Sequence, residues 1–182
     1  MGVPSNAADW PTVGLDETML AADPHDQFER WMSDVVELGL PEPTAMVLAT
    51  VSAAGQPRAR MVLLKAHDET GFSFYTNRTS RKGSDLADVP RASLLFPWYA
   101  IHRQVIVEGT VTQLPAAASE TYFHSRPRAS QLAAWASRQS TAIESRDELD
   151  ERYARLEQRW PEGTQVPLPP FWGGYLVTAR VI

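Results

Sequence analysis

Four short stretches of this 182-residue sequence carry side chains able to grip an anion or the polar edge of a heterocycle. Ser80-Arg81-Lys82 stands where a helix should begin, and free backbone N–H groups, the helix dipole and two cations together suit a phosphate. Arg60-Met61-Val62-Leu63-Leu64-Lys65 reads as a strand with a cation at each end. Positions 60 and 65 differ in parity, so a regular strand sends Arg60 and Lys65 to opposite faces; either they serve different ligands or the strand bulges. Tyr122, Arg126 and Ser130 recur at four-residue spacing and would share one face of a helix. Pro127 pushes Arg126 out of helical geometry, so the segment is expected to be two helices meeting at an Arg-Pro corner. Finally, Trp135-Ala-Ser-Arg-Gln139-Ser140 offers amide and hydroxyl groups. Each stretch also has a plainer reading: a solvated basic turn, edge cations of a strand, helix-end packing, and capping.

The elements that must position these groups follow from periodicity. Asp23 as cap and Pro24 at the first helical position open a helix whose apolar residues Phe28, Trp31, Met32, Val35 and Val36 run to Gly39. From Thr44 the pattern turns to strands: 44–51, 58–65 and 72–76, separated by turns at 53–56 and 68–71. Ser80 caps a short helix, 81–87; two further strands, 91–98 and 104–113, follow. The run Ala92-Ser-Leu-Leu-Phe96 predicts a strand buried on both faces, as in a barrel. Helices are expected over 116–125, 129–136 and 146–160, then a last strand over 175–182. The chain is therefore read as an α+β protein: a mobile arm at 1–22 and one domain, 23–182, built on a small antiparallel barrel.

Composition removes several kinds of chemistry. There is no cysteine, so disulfides and thiolate catalysis are excluded. The four histidines are scattered without ligand spacing, so no metal site is expected. A net charge of −5 with no basic stripe argues against a nucleic-acid partner. No apolar run approaches the length of a bilayer span, and the start of the chain shows no secretory pattern, so a cytoplasmic location without a membrane partner is expected. Nucleotide-loop, nucleophile-elbow and metalloprotease patterns are absent as well.

Taken in order, the wording of the chain resembles one family. Pro43-Thr-Ala-Met-Val-Leu-Ala-Thr50, Arg60-Met-Val-Leu-Leu-Lys65, Phe74-Tyr-Thr-Asn77, Ser80-Arg-Lys82, Ser93-Leu-Leu-Phe-Pro-Trp98, Arg103-Gln-Val105, Tyr122-Phe-His-Ser-Arg-Pro-Arg128, Ser130-Gln131, Gln139-Ser140 and Phe171-Trp-Gly-Gly174 are similar to pyridoxine/pyridoxamine 5′-phosphate oxidases. The resemblance implies an FMN-binding split β-barrel, antiparallel and Greek-key-like with peripheral helices. It further implies a homodimer with FMN at the subunit interface. Carried over by position, Arg60, Met61, Val62, Leu63, Leu64, Lys65, Tyr75, Thr76, Arg81, Lys82, Gln104, Gln139 and Ser140 would hold FMN, with Arg81 and Lys82 as phosphate anchors. Lys65, Tyr122, Arg126 and Ser130 would hold the phosphorylated B6 vitamer. No side chain is assigned as catalytic.

The reaction so implied oxidises pyridoxine or pyridoxamine 5′-phosphate to pyridoxal 5′-phosphate, with dioxygen as acceptor and hydrogen peroxide as product. Members of the family are expected to continue past the position of Ile182 with a Trp-containing strand and an Arg-Leu-His-Asp-Arg-like motif, which this sequence does not reach. Two alternatives accompany this reading: a phenazine-biosynthesis-type flavin oxidase, and a non-catalytic holder of FMN or pyridoxal phosphate, which the short C-terminus favours.

Overall fold

A computed structural model describes residues 14–182. Of the expected arm, residues 1–13 lie outside the described residues, and Glu17–Met19 form a short 3-10 turn capped by the Asp16 side chain. Asp23 caps α1 (Pro24–Glu37) by accepting from the His25 N–H, as the Asp-Pro pair implies. The strands are β1 (Ala45–Val51), β2 (Pro57–Leu63), β3 (Ala66–Asp68), β4 (Gly71–Asn77), β5 (Arg91–Trp98), β6 (Arg103–Gln113) and β7 (Trp172–Val181). Between them lie α2 (Arg81–Asp88), α3 (Ala116–Ser125), α4 (Arg128–Ala136) and α5 (Arg146–Arg159). Among the described residues no helix is long and apolar enough to cross a membrane.

The seven strands among the described residues join one antiparallel sheet in the order β2-β1-β5-β6-β7-β4-β3. The strand expected over 58–65 breaks at its end. Leu64 N–H still donates to Thr44 O beside β1, whereas Lys65 N–H donates to Ser73 O of β4. At that one peptide the chain passes from one end of the sheet order to the other, curling the sheet into a split barrel. The parity question raised by Arg60 and Lys65 is answered here: Arg60 lies in β2, whereas Lys65 lies in the two-residue link between β2 and β3.

Inside the barrel, α1 supplies a plug. Phe28 is 1% exposed and its ring meets Phe72 and Phe96 edge-on at 5.0 and 4.8 Å, with Trp98 at 5.5 Å. β5 corrects the sequence reading. It alternates, with Ala92, Leu94, Phe96 and Trp98 buried and Ser93 and Leu95 only half-buried. The strand buried on nearly its whole length is β4; its one half-buried residue, Tyr75, stacks on Tyr122 of α3. A second, smaller core joins Phe123, Leu132, Val166 and Trp172 beneath α3, α4 and α5.

Candidate functional site

The end of β2, the last residues of β4, the start of α2, the start of β7 and the corner between α3 and α4 converge on a cavity of about 520 Å³. Met61, Val62, Leu63 and Lys65 form one wall; Tyr75, Thr76 and Lys82 form the floor. Tyr122, Arg126, Ser130 and Gln139 close it from the helical side. Eleven of the residues singled out from the sequence therefore meet in one place, although they lie as far apart in the chain as positions 61 and 139. A cavity of this size is in the range used for cofactors and small substrates.

The floor is built by the start of α2. Ser80 Oγ accepts from Gly83 N–H as N-cap and donates to Asn77 O, while the Asn77 side chain accepts from Thr79 N–H. This turn presses Lys82 inward to 7% exposure. Its amine donates to Gln139 Oε1 at 2.6 Å, Thr76 Oγ1 at 3.2 Å and Ser80 Oγ at 3.3 Å. All three partners are neutral, and among the described residues no carboxylate pairs with it. Burial, and second the nearby Arg60 charge, push the Lys82 amine down to about 8. A buried cation without a counter-charge on a cavity floor fits an anionic ligand group.

Behind that floor sits a second set of charges. Asp85 of α2, 2% exposed, accepts from Thr50 Oγ1 at 2.7 Å and pairs with Arg58 at 2.5 Å and Arg60 at 3.6 Å. Arg60 Nη1 donates to Thr50 Oγ1 and Leu48 O. Burial lowers the Arg60 pKa, opposed by the Asp85 carboxylate. Arg60 is thus committed to an internal network beside the cavity rather than to its lining. Thr50, Arg58 and Asp85 went unnoticed in the sequence because their link spans 27 to 35 positions and leaves no local pattern.

The helical wall works differently. Tyr75 stacks on Tyr122 at 4.1 Å and on Trp172 at 5.5 Å, with rings within 23° of parallel. Burial, then the Tyr122 hydroxyl, raise the Tyr75 pKa. Arg126 turns the corner in extended backbone, φ −74° and ψ 150°, as the following proline requires. Its guanidinium lies 4.9 Å from the Trp172 ring centroid, and its buried Nη1 has no hydrogen-bond partner. Burial lowers the pKa of this group too. Asn77 and Trp172 also line the cavity; the Phe171-Trp172-Gly173-Gly174 string was visible in the sequence, but nothing local marked Trp172 as lining.

Four sequence-derived candidates fall outside the cavity besides Arg60's inward turn. Leu64 is buried in the barrel core at 4% exposure. Arg81 is exposed on the first turn of α2. Ser140 follows Gln139 in the loop after α4 with φ 68°, a left-handed backbone that non-glycine residues seldom adopt. Gln104 lies in a separate apolar recess with Phe28, Trp31, Ile106 and Ile182.

Comparison with known proteins is direct. Residues 32–159 match the family model described as pyridoxamine 5′-phosphate oxidase. A protein of Acidothermus cellulolyticus named pyridoxine/pyridoxamine 5′-phosphate oxidase is 55% identical over 170 residues, which is 93% of this chain and 75% of that protein. The solved structure of PhzG from Burkholderia lata 383, in complex with tetrahydrophenazine-1-carboxylic acid, superposes with a TM-score of 0.84 at 26% identity, over 92% of this chain and 83% of its own. A pyridoxamine 5′-phosphate oxidase-related, FMN-binding protein from Nostoc punctiforme shares the fold, with a TM-score of 0.67 at 16% identity over 88% of this chain and 83% of its own.

Proposed function

The chain belongs to the pyridoxamine 5′-phosphate oxidase family, and from that premise we propose that it is an FMN-dependent oxidase of phosphorylated B6 vitamers. Pyridoxine 5′-phosphate and dioxygen would give pyridoxal 5′-phosphate and hydrogen peroxide. Pyridoxamine 5′-phosphate would in addition consume water and release ammonia. When bound, FMN supplies the hydride acceptor and passes the electrons on to dioxygen.

The observation that carries this reading is one cavity with two unpaired cationic positions. Lys82 lies on the floor at a capped helix start, and Arg126 lies on the helical wall with a free buried N–H. That is what two phosphorylated ligands bound side by side would need. Lys82, Thr76 and Gln139 would hold the cofactor phosphate, and Arg60, fixed by Asp85 and Thr50, would add positive potential from behind. Lys65, Tyr122, Arg126 and Ser130 would hold the vitamer phosphate. The chain's task would be to hold the two ligands in register with each other within the cavity. No nucleophile of its own is called for.

Gln104 belongs to the same reading through a second copy of the chain. Its recess is apolar, with Ile106 44% and Ile182 36% exposed, which suits cover by a second copy, and Gln104 would then meet the cofactor only across that subunit contact.

A second reading, oxidation of a reduced phenazine-type tricycle, is favoured by the likeness to PhzG. It would leave Lys65, Arg126 and Ser130 without a phosphate to meet. One experiment separates the two. The purified protein, freed of flavin and reloaded with FMN, is expected to show the flavin visible band near one per chain and to release peroxide with pyridoxamine 5′-phosphate. Failure to take up FMN ends the oxidase reading; uptake with peroxide only from a reduced phenazine carboxylate replaces it with the second.

A further inference from the structure

Arg126 is a cation held in place without an anion. Its backbone is fixed twice: Gln131 Nε2 donates to its carbonyl at 2.8 Å, and its own N–H reaches Phe123 O at 3.3 Å. Its side chain makes no ion pair with a described carboxylate. Two aromatic faces locate the guanidinium instead, Trp172 at 4.9 Å and Phe123 at 5.8 Å. Trp172, the nearer, starts β7 in register with Asn77 of β4 and donates its N–H to Pro169 O, so its ring stands on a rigid strand. Tyr75 and Tyr122 stack parallel to that ring, within 14° and 9°.

A guanidinium lying against a ring keeps its plane and its fork of N–H groups in one orientation, and a flat fork is what binds a phosphate through two parallel hydrogen bonds. A carboxylate partner would have done the same but would have cancelled the charge. We propose that Trp172 is a positioning residue that acts through Arg126: its ring face aims the guanidinium into the cavity and thereby sets the preference for phosphorylated over unphosphorylated vitamers. This rests on the proposed function, since it takes the vitamer phosphate to be the ligand of Arg126.

Trp172 is 7% exposed and packs edge-on to Phe123, so a purely structural role is the competing account. The FMN-loaded protein separates them through the dissociation constants of pyridoxal 5′-phosphate and pyridoxal, read by absorbance, and through KM and kcat for pyridoxamine 5′-phosphate. Trp172→Leu is expected to weaken pyridoxal 5′-phosphate roughly tenfold, leave pyridoxal within about twofold, and raise KM with little change in kcat. Trp172→Phe, which keeps a smaller ring, should lie between, and it serves should the leucine variant fail to fold. In an Arg126→Ala background the same Trp172 substitutions should no longer move the phosphate preference. Equal losses for both ligands, or the same preference change without Arg126, would overturn the positioning role while leaving the oxidase reading intact. A wild-type protein that binds pyridoxal as tightly as pyridoxal 5′-phosphate would instead bring down the substrate assignment itself, and this inference with it.

Discussion

The cavity holds its cations in two contrasting ways. Around the start of α2, positive charge is embedded in hydrogen bonds: Arg58 and Arg60 converge on Asp85, and Lys82 spends its donors on Gln139, Thr76 and Ser80. Across the cavity, at the α3–α4 corner, Arg126 is held against rings and keeps a free N–H. The first arrangement stores stability, because a buried carboxylate and two arginines are pinned between β1, β2 and α2. The second stores binding capacity, because nothing polar must be displaced before a ligand arrives. A polar network is sensitive to loss of one partner, while an aromatic platform is sensitive to loss of shape.

The largest effect should come from breaking the network at its centre. Asp85→Ala leaves Arg58 and Arg60 facing each other without the buried carboxylate, and a loss on the order of 2–4 kcal/mol is expected after allowing for the partial exposure of both arginines. Chemical denaturation measures it; an unchanged midpoint would show that the arginines find other partners. A smaller and more selective effect is expected at Lys82. Replacing it by Met should lower FMN affinity by about one to two orders of magnitude, as loss of a charged hydrogen-bond donor does, and leave riboflavin binding nearly unchanged. If both flavins weaken together, Lys82 supports the floor without meeting a phosphate.

The smallest effect is in pH, and its sign sharpens the comparison. The free protein's Lys82 loses its proton near 8, below its ordinary 10.5, so FMN affinity should be full below about 8 and fall as pH rises through that value, by up to about tenfold per unit. Stability of the flavin-free protein should move the other way. Between about 8 and 10.5 the unfolded chain holds a proton that the folded one has lost, so folding should be favoured as pH rises across that window. Titrations of FMN affinity and of denaturation midpoint, on wild type and Lys82→Met, read both slopes. A slope surviving in the variant would assign it to another group.

Much of the architecture was legible before any coordinates. Asp23-Pro24 and Ser80 cap the helices they were expected to cap, because a capping side chain and its target lie within a few residues of each other. The strand 91–98 and the helix 116–125 appear with the bounds their periodicity indicated. The Arg-Pro corner between α3 and α4 follows from proline sterics alone. The cavity's membership was legible only through resemblance, since the local reading of each stretch left the plainer account open.

The sequence by itself determined the elements, their caps, the corner at Arg126 and the chemical types available, because those depend on neighbours one to four residues away. Tertiary structure alone decided what those groups do. It moved the chain across the sheet at Leu64–Lys65, so that Lys65 enters the cavity while Arg60 turns inward to Thr50 and Asp85. It buried β4 instead of β5 on both faces, set Gln104 in a recess of its own, and laid Arg126 against a tryptophan 46 positions further along the chain. The physical reason is the same in each case. A period of two or of 3.6 records which face a side chain takes within its own element, but which other element covers that face depends on how the barrel closes.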